Sequence, residues 1–367
     1  MLELLERMHM RTRLPSLVGG AVAAAAVAAF SIATVAGQGA AKTPWGHPDI
    51  QGLYNTAWLT PLERPAQVEA PSLTPQQAAA AEKVAADQRQ RRALPSDPTR
   101  TAPPFGGDGS TGAAGNVGGY NNFWIDNGEE YFSINGERRA SIVVDPPDGR
   151  IPPTTPDARK RQAARFAAPT ADAAENIATV TRGAYDNPEV RPLAERCILG
   201  FGSVSGPPMH PVLYNNFKQI VQTPTHVMIL VEMNHDARII PFSKTHGPAA
   251  NRKWLGDSIA WWEGETLVIE TTNFTAKTRY RGATEDLKVT ERFARVDDKT
   301  LLYRFTIDDP ATWTRPWSGE FPFVLAKAGE QLHEYACHEG NHSFTGILKG
   351  ERLLDGERAK GIKGSAR

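Results

Sequence analysis

The stretch TLLYRFTI, residues 300–307, decides the fold of this chain, because its side chains alternate between two kinds of face. Successive side chains of a β-strand point to opposite faces of the sheet. One face of this stretch carries four large apolar or aromatic groups: Leu301, Tyr303, Phe305 and Ile307. The opposite face carries Leu302, Arg304 and Thr306. This period of two predicts an antiparallel strand with one buried face.

The same alternation extends over most of the chain after Cys197. Eight further segments are predicted as short strands: 218–223, 226–233, 237–242, 257–262, 266–274, 287–296, 320–326 and 333–337. Tight turns at 263–265 and 297–299 join two pairs of these strands, as hairpins require. Closure of such a meander removes its unpaired edges. The sequence therefore predicts a mainly β (α+β) fold, an antiparallel meander that closes into a lipocalin-like barrel, with an open sandwich as the second choice.

The N-terminus has the features of a secretory signal. Arg7, Arg11 and Arg13 precede an apolar, Ala-rich stretch over 17–35, and Thr34-Val35-Ala36 offers small residues for cleavage. Residues 1–36 are therefore predicted to be a signal peptide, with an N-terminal membrane anchor as the alternative. A cleaved signal predicts a periplasmic or secreted protein with no stable membrane span after cleavage.

The remainder divides into two regions. Residues 37–196 are predicted to form an irregular and helical region that packs on the barrel, and residues 197–367 to form the barrel and a short C-terminal helix. Four helices are predicted before the barrel: after Thr74-Pro75, after Thr155-Pro156, over 171–181 and over 187–196. The Gly-rich stretch over 102–119 is predicted to be a loop.

Several motifs resemble those of a large family of exported, mostly uncharacterised bacterial proteins. They include YNNFWIDNGEEYF (120–132), WLGDSIAWWEGETLVIETTNFT (254–275) and EYACHEGNHSFTGIL (334–348). The resemblance extends from about Pro48 to Leu348 and implies an exported β-rich protein, without implying an activity. It also implies that tyrosine is common at the position of His342.

Two cysteines, Cys197 and Cys337, are present in the chain. An exported protein meets an oxidising compartment, where an even number of cysteines favours a disulfide. A bond between them would join the segment before the barrel to its last predicted strand. The alternative is a nucleophilic Cys337 beside His338, but adjacent residues on a strand face opposite ways.

The stretch EYACHEGNH (334–342) contains a literal H-E-x-x-H, the pattern of zinc peptidases. That pattern works on a helix, where both histidines share one face, whereas Gly340-Asn341 predicts a turn after a strand. In the extended pattern H-E-x-x-H-x-x-G-x-x-H, Thr345 stands at the glycine position and Leu348 at the position of the third ligand, and Glu351 and Glu357 are too close to serve as a distal glutamate ligand. We therefore predict no metal site, with a site of a different type involving His338 and His342 as a minor alternative. His338 and Glu339 are predicted instead to be catalytic, at a strand end.

A second polar cluster, over 232–238, lies between two apolar strands. The functional interpretation places His235 and Asp236 at the barrel mouth for proton transfer, with Arg238 holding an anionic group. The alternative is a solvent-exposed hairpin turn. Glu270 and Glu291, both in mid-strand, are predicted to form cross-strand ion pairs, with Arg292 and Arg304 as available partners.

Aromatic residues form the third candidate group. Trp262 and Trp313 are predicted to line a pocket with Tyr303, and Arg315, which lies between two tryptophans in TWTRPW, to bind an anionic group. Packing in the core is the alternative for these rings.

Composition and missing motifs exclude several classes of function. The chain has 41 basic and 41 acidic residues and no basic run, which argues against nucleic-acid binding. It has no G-x-S-x-G motif, no P-loop and no G-x-G-x-x-G motif after a predicted strand, which argues against the usual serine hydrolases, nicotinamide enzymes and NTPases. No organic cofactor is predicted, and the sequence predicts no particular oligomeric state.

Three hypotheses follow for the function. The first is an exported barrel enzyme that acts on a small apolar or aromatic substrate by acid–base chemistry, as a lyase, hydratase or isomerase. The second is a non-catalytic, lipocalin-like carrier of such a small-molecule ligand. A metal-dependent hydrolase that uses HEGNH is a remote third.

Overall fold

The computed structural model describes residues 41–93, 99, 101, 125–167, 188–203, 205–278 and 280–360. The predicted signal peptide, the predicted loop over 102–119 and the predicted helix over 171–181 lie outside these residues. The predictions made for those three segments therefore stay predictions.

One large antiparallel sheet forms the body of the protein. Nine strands follow one another around it: β1 (Gly52–Asn55), β6 (Phe217–Gln222), β7 (His226–Val231), β8 (Asp236–Pro241), β9 (Asp257–Glu263), β10 (Thr266–Thr272), β11 (Lys288–Asp297), β12 (Thr300–Asp308) and β13 (Trp317–Leu325). A tenth strand, β5 (Val143–Asp145), pairs with β13. The remaining strands, β2 (Ser72–Leu73), β3 (Ser133–Ile134) and β4 (Glu137–Arg139), form a small separate sheet.

The large sheet has the order β8-β7-β6-β1-β13-β12-β11-β10-β9 and curls until its two ends approach each other. An isolated bridge joins Phe242, just after β8, to Ala260 of β9, and the Ser243 amide donates to the Ala260 carbonyl at 3.1 Å. The sheet is therefore a nearly closed barrel, which confirms the predicted fold class. Its one incomplete joint, between β8 and β9, is called the seam below.

The structure differs from the strand predictions in two ways, since β1 to β5 were not predicted and one predicted strand does not form. β1 was not predicted, because only four residues of a turn-rich segment form it, yet it fills the place between β6 and β13. The strand predicted over 333–337 is wrong. The main-chain amides of His333 and Tyr335 donate to the side chains of Glu232 and His235, at 2.9 and 2.8 Å, instead of to a neighbouring strand.

The side chains on the inward face of each strand fill the barrel interior. In β12, Leu301, Tyr303, Phe305 and Ile307 are fully buried, as the sequence predicts. The facing residues of neighbouring strands complete an aromatic core: Phe293, Trp317, Phe321 and Phe323. Ring centroids lie 4.9 Å apart in the pair Phe293–Tyr303 and 5.7 Å apart in Phe305–Trp317, so side chains and not solvent occupy this part of the barrel.

Helices lie outside the barrel. α1 (Pro75–Ala93) and α2 (Pro156–Ala167) begin where predicted. Thr74 caps the first by accepting from the Gln77 amide at 3.2 Å, and Thr155 caps the second by accepting from the Ala158 amide at 3.1 Å. The helix predicted over 187–196 is wrong, since a single 3₁₀ turn, Pro188–Val190, is followed by irregular turns there.

The C-terminal segment consists of α3 (Cys337–Gly340) and α4 (His342–Ala359). The predicted disulfide is confirmed: Cys197 and Cys337 are bonded, with their Cα atoms 5.9 Å apart. It ties α3 to the segment that precedes β6. Among the described residues, no helix has the combined length and apolar character that a membrane span needs.

Candidate functional site

A cleft opens along the seam, because β8 and β9 diverge without a continuous hydrogen-bond ladder. Its volume is about 510 Å³. It is lined by β8, by the start of β9, by part of the connection between them and by two residues that precede β6: Asp236–Pro241, Asp257–Ile259, Thr245, Gly247, Lys253–Gly256, Ile198 and Leu199. Two predicted site residues, Asp236 and Arg238, are therefore cleft residues.

Arg238 forms the buried floor of the cleft. The pairing of β8 with β7 places the Arg238 side chain on the inner face of the barrel. There Nη2 and Nη1 donate to the two carboxylate oxygens of Glu291, at 2.5 and 3.0 Å. The two side chains are 2% and 0% exposed. Such a bidentate pair in a low-dielectric interior is geometrically specific and strongly coupled. The anion that this guanidinium holds in the structure is thus the carboxylate of Glu291.

Hydroxyl groups from three strands complete the polar layer around this pair. Tyr303 donates to Glu291 Oε1 at 2.8 Å and accepts from the Met209 amide at 3.0 Å. Ser258 and Thr271 lie 3.3 and 3.4 Å from Arg238 Nη2. The Nε atom of Arg238 is buried without a hydrogen-bond partner. The floor therefore retains one unused donor.

Asp236 lies beside Arg238 on the inward face of β8. Its carboxylate accepts from Ser205 Oγ at 2.8 Å and from Asn234 Nδ2 at 3.5 Å. Burial raises the pKa of Asp236, against the opposing effect of these two hydrogen bonds. A partly buried carboxylate with a raised pKa in a cleft has the properties of a proton-transfer group.

The rim of the cleft is apolar and partly exposed. Ile239 is 69% exposed and Trp254 is 36% exposed. Beside them, Lys253 Nζ contacts Asp257 Oδ1 at 2.6 Å, which pairs these two charges. An apolar rim above a polar floor is the usual composition of small-molecule sites.

His235 belongs to the end of the barrel and not to the cleft. Asn234 and His235 both have left-handed backbone conformations, with φ values of 64° and 51°, which reverse the chain between β7 and β8. His235 is exposed, and its Nε2 accepts the amide proton of Tyr335 at 2.8 Å. Glu232, by contrast, is buried, so the predicted solvent-exposed turn describes only part of this segment.

His338 and Glu339 are exposed residues of α3, and neither lines the cleft. Their segment lies at the same barrel end as His235, as the Tyr335 contact shows. Helix α3 ends at Gly340 and α4 begins at His342, so Asn341 interrupts the helix between the two histidines. Within the described part of the chain, no group of three or more His, Cys, Asp or Glu side chains is placed to hold a metal ion.

The predicted aromatic residues are dispersed. Trp313 is buried and packs against Trp317 at 5.9 Å. Trp262 stacks on His47 at 5.2 Å. Arg315 is on the surface, where it pairs with Asp145 at 2.7 Å. Tyr303 alone contacts the polar layer of the cleft floor, through Glu291.

The predicted partners of Glu291 are wrong. Arg292 pairs with Glu263 at 2.6 Å, and Arg304 lies 3.8 Å from Glu320. Arg292 is adjacent to Glu291 on its strand and therefore faces the opposite side of the sheet. Arg304 lies opposite Arg292 and shares that outward face. The true partner, Arg238, comes from across the barrel.

Two buried basic residues were not predicted as notable. His210 is buried, its Nε2 lies 2.6 Å from Tyr280 Oη, and its Nδ1 has no hydrogen-bond partner. Desolvation lowers the pKa of His210 to about 3, with the charges of Arg281 and Lys218 contributing. Lys218 faces inward from β6 and donates to Thr56 Oγ1 and the Asn216 carbonyl at 2.9 and 3.1 Å. Desolvation lowers the pKa of Lys218 to about 7. The face of β6 that carries Lys218 also carries Ile220 and Gln222, so its sequence pattern gave no signal that Lys218 is buried.

Comparisons of the chain with protein-family models, with curated proteins and with solved structures find no match.

Proposed function

We propose that this chain is an exported enzyme that acts on a small, largely apolar or aromatic substrate by acid–base chemistry, as a lyase, hydratase or isomerase. The reaction takes place in the seam cleft and needs no organic cofactor. One observation carries the proposal: the carboxyl of Asp236 and the buried Arg238 line the same cleft of about 510 Å³. A disulfide is consistent with export, because such bonds persist in oxidising compartments.

In this proposal Asp236 transfers the proton. Its hydrogen bonds from Ser205 and Asn234 fix the orientation of the carboxyl, and partial burial moves its pKa towards neutrality, where a general acid or base is most effective. Arg238 orients the polar group of the substrate, and Ile239 and Trp254 contact the apolar part. The predicted roles of His235, His338 and Glu339 stay predictions, since they lie outside the cleft lining.

A carrier of small apolar molecules is the second candidate, and the exposed rim of Ile239 and Trp254 favours it. Both candidates bind a ligand in the cleft. They differ in whether the ligand leaves changed, so one experiment separates them.

The test begins with a thermal-shift screen of the purified protein against small aromatic and aliphatic compounds. Hits are incubated with the protein and analysed by mass spectrometry for conversion. We expect conversion by the wild type and a loss of roughly 100-fold or more in kcat for Asp236→Asn, because general acid–base catalysis contributes about that much. Ligand affinity should change far less.

Asp145→Asn is the matched control, because Asp145 is an aspartate paired with Arg315 on the surface, outside the cleft lining. It should retain wild-type turnover. Recovery of every bound ligand unchanged would favour the carrier. Undiminished turnover in Asp236→Asn, with loss in His338→Ala, would move the reaction to the barrel end.

A further inference from the structure

We infer that the seam cleft selects molecules whose polar head is uncharged, such as a carboxamide or a hydroxyl group, over molecules with a carboxylate head. This inference rests on the site of the proposed function and names the class of ligand for it. It departs from the prediction that Arg238 holds an anionic substrate group.

The charges of the cleft leave no free positive group among the described lining residues. Both terminal nitrogens of Arg238 are engaged by the carboxylate of Glu291, at 2.5 and 3.0 Å. Lys253 is engaged by Asp257 at 2.6 Å. A ligand carboxylate could take Arg238 only by leaving Glu291 as an unpaired charge in the barrel interior, which is strongly unfavourable.

Asp236 adds repulsion to this competition. Its carboxyl lines the cleft beside Arg238, and its hydrogen-bond partners, Ser205 and Asn234, are neutral. Two carboxylates in one partly buried space cannot both stay ionised without a large cost. A carboxylate ligand therefore binds only if a proton is taken up by it or by Asp236. A neutral ligand binds without proton uptake.

An uncharged head matches the hydrogen-bonding groups that remain. Arg238 Nε is a buried donor without a partner on a side chain that is 2% exposed, so a carbonyl or hydroxyl oxygen reaches it through a small movement of the cleft floor. The Asp236 carboxyl suits an N–H or O–H donor. A carboxamide or a hydroxyl group supplies both functions, while a carboxylate supplies only acceptors.

The rim selects the body of the ligand. Ile239 and Trp254 are large apolar side chains that stay 69% and 36% exposed at the edge of the cleft. An aromatic or branched aliphatic group that covers them is removed from water on both sides, which favours binding. The ligand class is therefore an apolar or aromatic molecule with one neutral polar head.

The test compares three probes of one shape: 2-naphthamide, 2-naphthoate and 2-naphthylmethylammonium. Dissociation constants are measured by calorimetry on the full chain at pH 7.5. We expect the amide to bind about tenfold or more tightly than the carboxylate, as like-charge juxtaposition implies. In Asp236→Asn this ratio should fall to about threefold or less, because the repelling charge is gone.

Trp254→Ala and Trp261→Ala form a matched pair that locates the site. Trp254 lines the cleft, whereas Trp261 lies outside its lining with its Nε1 bonded to Glu263 at 3.0 Å. Only Trp254→Ala should weaken the amide, by about tenfold. Both positions are partly exposed, so both variants are expected to fold.

Two results would overturn the inference: equal or tighter binding of the carboxylate, or no binding of any probe. Tighter binding of the ammonium would support the repulsion of carboxylates by Asp236 and overturn the neutral head. The proposed function fails separately. A preference for the amide without conversion of any ligand supports the inference and makes the protein a carrier, while conversion of a carboxylate ligand supports the enzyme and contradicts the inference.

Discussion

Two Arg–carboxylate pairs in this protein have nearly the same shortest N–O distance and opposite surroundings. Arg238 and Glu291 approach to 2.5 Å with side chains 2% and 0% exposed, and Arg315 and Asp145 approach to 2.7 Å with side chains 51% and 44% exposed. In water both charges of a pair are solvated whether or not they are in contact, so the exposed pair contributes little to the free energy of unfolding. Inside the barrel each charge lacks water and is stabilised only by its partner and by neighbouring hydrogen bonds. Burial, and not distance, therefore decides what an ion pair contributes to the stability of the fold.

The largest expected effect tests this comparison directly. Arg238→Met removes the cation and leaves Glu291 as an uncompensated buried charge, which should lower the free energy of unfolding by about 3–5 kcal/mol. Arg315→Met, the same substitution in the exposed pair, should change it by less than about 1 kcal/mol. Urea denaturation of both variants measures the difference.

A double variant makes that prediction sharper. In Arg238→Met/Glu291→Gln the buried charge is gone and the new side-chain amide oxygen at position 291 can still accept from Tyr303, so most of the lost stability should return. If the double variant is as unstable as Arg238→Met, the cost lies in packing and not in the unpaired charge.

The second-largest effect on the free energy of unfolding is expected from the disulfide. It stabilises the exposed barrel end, whereas the buried ion pair stabilises the interior. Cys197→Ala/Cys337→Ala should lower the free energy of unfolding by about 2–4 kcal/mol, since the bond closes a long loop in the unfolded chain. Hydrogen exchange should speed up around α3, while β11 and β12 keep their protection. Equal acceleration in β11 and β12 would show that the barrel end and the cleft floor unfold as one unit.

The strands were largely predictable because alternation is a local property. Segments such as 287–296 and 300–307 carry the pattern in full, and they became β11 and β12 with boundary shifts of at most one residue. The four-residue β1 carries too little pattern, and its place is set by partners far away in the chain, Phe217 to Ile220 and Leu325 among them.

The site was predictable only in part, since it depends on barrel closure. Asp236 and Arg238 were singled out as polar residues between apolar strands, and both line the cleft. The ion pair of Glu291 with Arg238 was missed, because no local pattern shows which strands meet across a barrel. The strand rule alone could have excluded Arg292 as a partner, since it faces the other side.

The smallest expected effect, a change in the free energy of unfolding per pH unit, concerns Lys218. This residue is a buried cation without a paired carboxylate, so it extends the comparison of the two ion pairs. Desolvation lowers its pKa in the folded state to about 7, against an ordinary value of 10.5. Between these values the unfolded chain binds the proton and the folded chain does not, so stability should rise with pH by about 1.4 kcal/mol per unit. Below pH 7 both states are protonated and this slope disappears.

The pH dependence of the urea midpoint from pH 6 to pH 9 checks this prediction, with two methionine variants as a matched pair. Lys218→Met removes the titrating group at nearly constant volume and should abolish the rise. Lys288→Met, at a lysine whose side chain is 45% exposed, should leave the rise in place. A rise that survives in Lys218→Met would assign it to another group. The Lys218 amine would then be less desolvated than the charges of Arg238 and Glu291. A flexible lysine side chain can keep its amine in contact with water, whereas a bidentate pair is fixed in place.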